Sequence, residues 1–503
     1  MVEKIKGNNN FQLFIWLFVI GLLVYSRFIN LGWSLPYPMH PDERNMAISI
    51  QQLSCKFPIN NFLNCFNPHF FAYGQFPLYL GYVIVWLMKF FDGDLGWPIG
   101  FQEAVISLRF ISAVASIISI FVLIKIVFLI SNLKSKSQNW LIFLVLTFSP
   151  YAIQFAHFGT TESLLMLFYS LIIYYCLKIL DSKTLNTKYL ILASVYSGLA
   201  IATKVSSVIF VIVPAIVLIS KIKYQRSKLS LNLKVLTFTF GFALCTLIFA
   251  LLFSPHNFLN WREFVGSMRY ESDVALGKYI VFYTRQFVNV IPVLFQMTKV
   301  FPYALGWPVF ILGMLGVLGV EWRDKKVNLL RFAFLVYFLP NAFLFAKWTR
   351  FMVPIFPLMS IFAILFLLKL FDFLTNIKKF FTFNFLPVLL TFAFLLLTLI
   401  TIFPGISYLS IYQKPDVRFQ ASEWIYKNIP ENSYILSETA NVVDIPIELE
   451  SYKVHKVYKV ISFNFYDLDE NPQLQEELKE HLNKADYIFI PSRRIFANSP
   501  KEK

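Results

Sequence analysis

The sequence predicts an all-α polytopic membrane protein of about eleven transmembrane helices, followed by a small α/β domain. Three observations predict it. Of the 503 residues, 57% are hydrophobic, and the mean hydropathy is +0.60, whereas soluble domains hold roughly 45–50% apolar residues. Apolar stretches long enough to cross a bilayer recur from residue 11 to residue 404. From Asp416 onward, charged residues become frequent and apolar runs shorten to strand length. The chain therefore divides into a membrane region, 1–410, and an α/β domain, 411–503.

The apolar stretches lie at roughly 11–30, 105–130, 140–157, 160–180, 188–203, 205–220, 235–254, 303–320, 331–346, 351–371 and 384–404. Two others, 77–91 and 286–301, are weaker. Lys and Arg collect in short connections, as they do in cytoplasmic loops. These are Lys134 and Lys136, Lys183 and Lys188, the run from Lys221 to Lys234, Arg323 to Lys326, and Lys378-Lys379. If 77–91 is a surface-lying or re-entrant helix in the first outer loop, all of these connections fall on one side with the N-terminus. The N-terminus is then cytoplasmic, and the α/β domain is extracytoplasmic. The net charge of +16 belongs to these loops and implies no nucleic-acid partner. Lys4 and Lys6 precede the first apolar run, which lacks a small-residue cleavage site and reads as a retained span.

The outer loops are then 31–104, 157–160, 203–205, 254–302 and 346–351. They gather His40, Asp42, Glu43, His157, Glu162, Lys204, His256, Arg262, Lys347 and Arg350 on one face. Cys176 and Cys245 sit inside apolar segments and read as small core residues. Cys55 and Cys65 share one polar loop and can pair if it is extracytoplasmic. In the α/β domain, 422–429 and 472–484 have helical patterns, and 434–436, 456–461 and 487–490 read as strands.

The densest functional signal is Tyr37-Pro-Met-His40-Pro41-Asp42-Glu43-Arg44, directly after the first span. Adjacent carboxylates at a bilayer surface suit general-base chemistry, or a divalent cation such as Mg²⁺ or Mn²⁺. Pro-Asp-Glu is equally a good helix start, with Asp42 as a candidate N-cap. Glu162 opens an apolar helix, where it is either a second acid or a favourable first-turn charge. Lys204 is flanked by apolar residues on both sides and either snorkels to the interface or holds a phosphate. Arg350 suits bidentate phosphate binding, or anchors the span end with Trp348. His40 and His256 join Lys204 and Arg350 as candidates for lipid-phosphate or substrate binding. No Gly-rich phosphate loop or serine nucleophile elbow is present.

Taken together these residues resemble the GT-C glycosyltransferases of the protein O-mannosyltransferase superfamily, of bacterial or archaeal type. That superfamily includes the aminoarabinose transferases acting on lipid A. The likeness rests on His40-Pro-Asp42-Glu43, on Gln75-Phe-Pro77-Leu-Tyr79 (similar to the family's PPLYY stretch) and on Arg109-Phe-Ile-Ser112 (similar to its RLxS helix start). Thr161-Glu162 after a Pro150-bearing span, Thr203-Lys204, Arg350 with Pro354 and Pro357, and the tail's Ala485 to Ser492 complete it. The resemblance implies an inverting transferase that moves a sugar from a polyprenyl-phosphate donor to an acceptor hydroxyl on protein, glycan or lipid. It implies Asp42 as general base with Glu43 beside it and Glu162 as second acid. Lys204 and Arg350 would hold the lipid phosphate. Glu162 stands where many members carry Asp. Gln75-Phe-Pro replaces the Lys-Pro-Pro of the aminoarabinose branch, which argues against lipid A as acceptor. Two other classes fit less well. A flippase of lipid-linked sugars calls for midplane charges and inverted repeats. A noncatalytic assembly subunit would make Asp42 dispensable.

Overall fold

The computed structural model describes residues 9–53, 62–93, 98–131, 136–224, 231–377, 386–438, 443–449, 457–469 and 471–491. Cys55, Lys134, Arg226, Lys228, Lys378, Lys379 and the Ser492-Arg-Arg end of the tail motif lie outside the described residues.

The molecule is mostly helical, and helices occur at every expected span position. The first is Asn9–Phe28. The longest, Phe101–Ile130, stands centrally and packs against Pro41–Gln52, Phe76–Asp92 and Glu162–Asp181. By length and composition, Phe101–Ile130, Glu162–Asp181 and Val353–Leu374 can each cross a membrane unaided. The apolar surface is turned outward as well as inward. Leu13, Phe14, Leu17 and Phe18 on the first helix, and Leu395, Leu396, Leu399 and Phe403 on the last long one, are all exposed. Such a surface is costly in water and neutral in lipid.

Two expected spans are broken. The stretch 140–157 forms Lys136–Thr147, then Pro150–Gln154 and a 3₁₀ turn at Phe155–His157. Pro150 supplies no N–H and disfavours helical backbone at Ser149. The carbonyl of Thr147, freed by the break, accepts from buried Arg27 at 2.8 Å. Similarly, 303–320 is not one straight span. Gln296–Leu305 and Trp307–Gly319 meet at 116°. Gly306 makes the bend with φ +79°, and Pro308 follows it. The stretch 77–91 folds as the helix Phe76–Asp92, packed against Pro41–Gln52 and Phe101–Ile130. It buries Leu78, Tyr82 and Val85 and exposes Trp86, Phe90 and Phe91.

The C-terminal region forms a three-stranded parallel sheet of β1 (Tyr434–Glu438), β2 (Lys459–Phe463) and β3 (Tyr487–Phe489), in the order β2-β1-β3. Leu436 stands opposite Ile461 on one side and Ile488 on the other. The helices Val417–Asn428 and Pro472–Lys484 accompany the sheet, and Ile425, Ile429 and Ile445 form a small core of their own.

Candidate active site

Asp42 and Glu43 open the helix Pro41–Gln52, but neither caps it. The cap is His40, whose Nδ1 accepts the Glu43 N–H at 3.3 Å, and Pro41 follows at the first helical position, where a missing N–H costs nothing. The capping thus releases the Asp42 side chain. Consecutive helical residues point about 100° apart, so the two carboxylates diverge.

Glu43 turns into the protein. Arg109 donates to both its oxygens, from Nε at 2.6 Å and Nη2 at 2.7 Å, and the Gly159 N–H donates at 2.7 Å. Arg109 also donates to Ser34 Oγ at 2.8 Å and to the Leu31 carbonyl, and it lies 4.7 Å from the Trp33 ring. Gly159 allows this approach, because a Cβ there would lie 2.7 Å from Glu43 Oε1. Glu43, expected as a catalytic neighbour of Asp42, is thus held in a buried ion pair with Arg109. Glu43 is a buried anchor for the helix that carries Asp42.

Asp42 faces the other way and pairs with Arg350 Nη1. Burial pushes its carboxyl up, but Arg350, with His40 and Lys204 behind it, outweighs burial and holds Asp42 below the usual carboxylate range. Arg350 sits in the 3₁₀ turn Thr349–Phe351, with its guanidinium 4.7 Å from the Trp348 ring. Lys204 ends the helix Thr187–Thr203 in an extended conformation. Its ammonium lies 3.8 Å from Glu162 Oε1, 5.0 Å from the Tyr73 ring and 5.9 Å from that of Phe351. Among the described residues, Glu162 Oε1, Thr161 Oγ1 and Arg350 Nε are buried without a hydrogen-bond partner. Such groups are costly to leave unmet, which marks this as a place for a polar ligand.

Tyr73 was not anticipated from sequence. It is carried on a strap bolted at two points. The Gly74 N–H donates to the Thr203 carbonyl at 3.0 Å, and a Cβ on Gly74 would lie 1.9 Å from the Ala202 carbonyl oxygen. Gln75 donates its N–H to Ser254 Oγ at 3.0 Å and its Nε2 to Asn257 Oδ1 at 2.9 Å, and its Oε1 accepts the His256 N–H at 2.9 Å. His256 is buried and bonded to Asn260 at 2.9 Å. His40 thus caps the helix and acts electrostatically on Asp42, while His256 anchors the strap. Glu271, on the helix Trp261–Leu276, was also missed. Partial desolvation lifts its carboxyl above the ordinary value, against the pull of Arg350 and Lys204. Its only sequence signal is an amphipathic helix in the outer loop 254–302.

The donor set does not fit a metal held between Asp42 and Glu43. Glu43 spends its oxygens on Arg109 and Gly159, and Asp42 spends one on Arg350. No cluster of three His, Cys, Asp or Glu suited to a metal occurs among the described residues.

Comparison with known proteins gives the class first. The chain is similar to ArnT from Cupriavidus metallidurans bound to undecaprenyl phosphate, with a TM-score of 0.52 at 12% identity, over 96% of this chain and 90% of that one. It is also similar to the oligosaccharyltransferase of Archaeoglobus fulgidus in the apo form, with a TM-score of 0.51 at 14% identity, over 84% of this chain. The chain spans only 62% of that oligosaccharyltransferase. The archaeal oligosaccharyltransferase AglB from Archaeoglobus fulgidus, in complex with an inhibitory peptide and a dolichol-phosphate, matches with a TM-score of 0.50 at 13% identity, over 84% of this chain and 62% of that one. The fold is therefore that of the GT-C glycosyltransferases, as the sequence resemblance implied. More particularly, residues 82–250, about a third of the chain, match the family of dolichyl-phosphate-mannose-protein mannosyltransferases. No curated protein matches the chain.

Proposed function

We propose that this chain is an inverting glycosyltransferase of the membrane, which transfers a sugar from a polyprenyl-phosphate donor to an acceptor hydroxyl on the extracytoplasmic face. The observation that carries the reading is one cluster. It joins an Asp42–Arg350 pair to a Lys204–Glu162 pair and leaves Glu162 Oε1 and Arg350 Nε buried without a hydrogen bond. Lys204 and Arg350 hold the lipid phosphate. Asp42 takes the proton from the acceptor hydroxyl as its oxygen attacks the anomeric carbon. The bond from that carbon to the phosphate oxygen breaks, and the lipid phosphate leaves against the two cations. When the donor phosphate draws on Arg350, Asp42 loses the partner that depresses its basicity, so donor binding makes Asp42 a stronger base. Glu162, close to Lys204, is placed to orient that cation and the sugar.

The expected eleven-span topology, with a cytoplasmic N-terminus, puts this cluster and the α/β domain outside. Cys65 is disulfide-bonded, which fits an oxidising compartment for the first loop. The acceptor hydroxyl is carried by protein, glycan or lipid. The test is Asp42→Asn in purified protein, given a panel of radiolabelled polyprenyl-phosphate sugars. Loss of a general base costs roughly 10²–10⁴-fold in turnover. Turnover within about threefold of wild type removes Asp42 as base, the outcome a noncatalytic subunit predicts.

A further inference from the structure

The α/β domain touches the membrane region on two fronts, and each front adjoins one half of the Asp42–Arg350 pair. On the first front, the Tyr37 hydroxyl donates to the Glu448 carbonyl at 2.5 Å, and the Tyr37 ring lies 5.9 Å from that of Phe419. Arg418 Nη1 reaches the Met39 sulfur at 2.9 Å and its carbonyl at 3.4 Å. Met39 directly precedes His40, the cap of the helix that carries Asp42. On the second front, Arg285 pairs with Asp467 at 3.0 Å and donates to the Tyr466 carbonyl at 2.8 Å, with the rings of Phe282 and Tyr466 4.9 Å apart. The neighbouring Tyr283 and Phe287 each lie 5.9 Å from Trp348, which stacks on Arg350.

The same domain carries both fronts. The Tyr466 hydroxyl bonds Glu438 at the end of β1, and β2 ends two residues before the Phe465–Asp467 turn. On the opposite flank, the Ile447 N–H donates to Ser422 Oγ at 2.8 Å, which ties the Glu448 segment to the helix Val417–Asn428. Asp42 and Arg350 are 308 residues apart in sequence, Asp42 in the first turn of an α-helix and Arg350 in a 3₁₀ turn. One α/β domain contacts both segments, through the helix Val417–Asn428 and the Glu448 segment on one front and the Phe465–Asp467 turn on the other.

We infer that the α/β domain is a clasp that fixes the spacing of the Asp42 helix and the Arg350 loop, with Arg285, Arg418 and Tyr37 as positioning residues. It rests on the proposed roles of Asp42 and Arg350. Donor phosphate has to enter between a base and a cation that start in contact.

The test uses the full chain and the polyprenyl-phosphate sugar that gives turnover. Arg285→Ala and Arg418→Met are expected to lower kcat about 10–100-fold, because small misplacements of reacting groups cost that much. Donor KM should change less than about threefold, since neither residue contacts the donor, and Arg285→Lys should recover most of kcat. Wild-type kcat in both truncated variants overturns the clasp, as does a loss confined to KM. A second arm holds if these variants unfold early. Arg285→Cys with Asp467→Cys, joined by a short bis-maleimide linker, should keep full turnover. Loss of turnover on linking means that the domain has to leave during catalysis, and it overturns the clasp. Asp42→Asn separates the two readings. If it retains turnover, the base assignment falls; if it is inactive while Arg285→Ala is not, only the clasp falls.

Discussion

Glu43 and Asp42 are neighbours in sequence with opposite duties, and the difference is testable at single residues. Arg109 and Glu43 are both buried, with side-chain exposures of 0% and 4%. Arg109→Met leaves a buried carboxylate facing an apolar side chain, which should cost about 3–5 kcal/mol of stability. Replacing both partners by Met should cost much less, because no unpaired charge remains. Thermal unfolding in detergent reads both, and a mild Arg109→Met rules out the anchor. Asp42 gives a prediction with a sign. Arg350 lowers its folded-state pKa below the unfolded value of about 3.9. Its contribution to stability is therefore complete above that value and is lost as pH falls through the lower folded value. In Arg350→Met, burial dominates and raises the pKa, so that contribution is lost as pH rises instead. The melting temperatures of wild type and variant should diverge as pH rises from 3 to 6, and parallel curves would count against the pair.

At the scale of elements, the strap 73–75 is the part that most constrains the site. Gly74 has no room for a side chain, because the contact is with backbone that cannot swing aside. Gly74→Ala should push Tyr73 away from Lys204 and lower turnover about 10²-fold. A variant with normal turnover would show that Tyr73 has no part in holding Lys204. The strap also accounts for Gln75. Its side chain bridges His256 and Asn257, so it serves as a structural clamp between the strap 73–75 and the start of the loop after Phe253.

At the scale of the whole molecule, the prediction concerns sidedness. Asn45 is exposed on the helix that carries Asp42. Asn45→Cys should react with a membrane-impermeant maleimide from outside the cell. Labelling only after the inner face is opened would reverse the topology and remove the common face on which the cluster depends.

Much of this architecture is legible in the sequence. Apolar runs placed the helices, since a bilayer demands about 20 apolar residues whatever the fold. The alternation of short apolar runs with polar turns placed the three strands of the tail. Charge sidedness brought Asp42, Glu162, Lys204 and Arg350 to one face, and in the structure they form one cluster. The resemblance favoured Asp42 over Glu43 as base, but the residue pattern alone does not separate them, because their difference is set by Arg109, Gly159 and Arg350, residues remote in the chain. Tyr73 and Glu271 stayed hidden for the same reason, as each gains meaning only from the cations it meets. The breaks at Ser149 and Gly306 carry local Pro and Gly signals, yet how sharply they bend depends on packing. Solvent preference is a property of each segment and is written along the chain. The pairing of charges depends on distances between segments, and only the tertiary structure decided those.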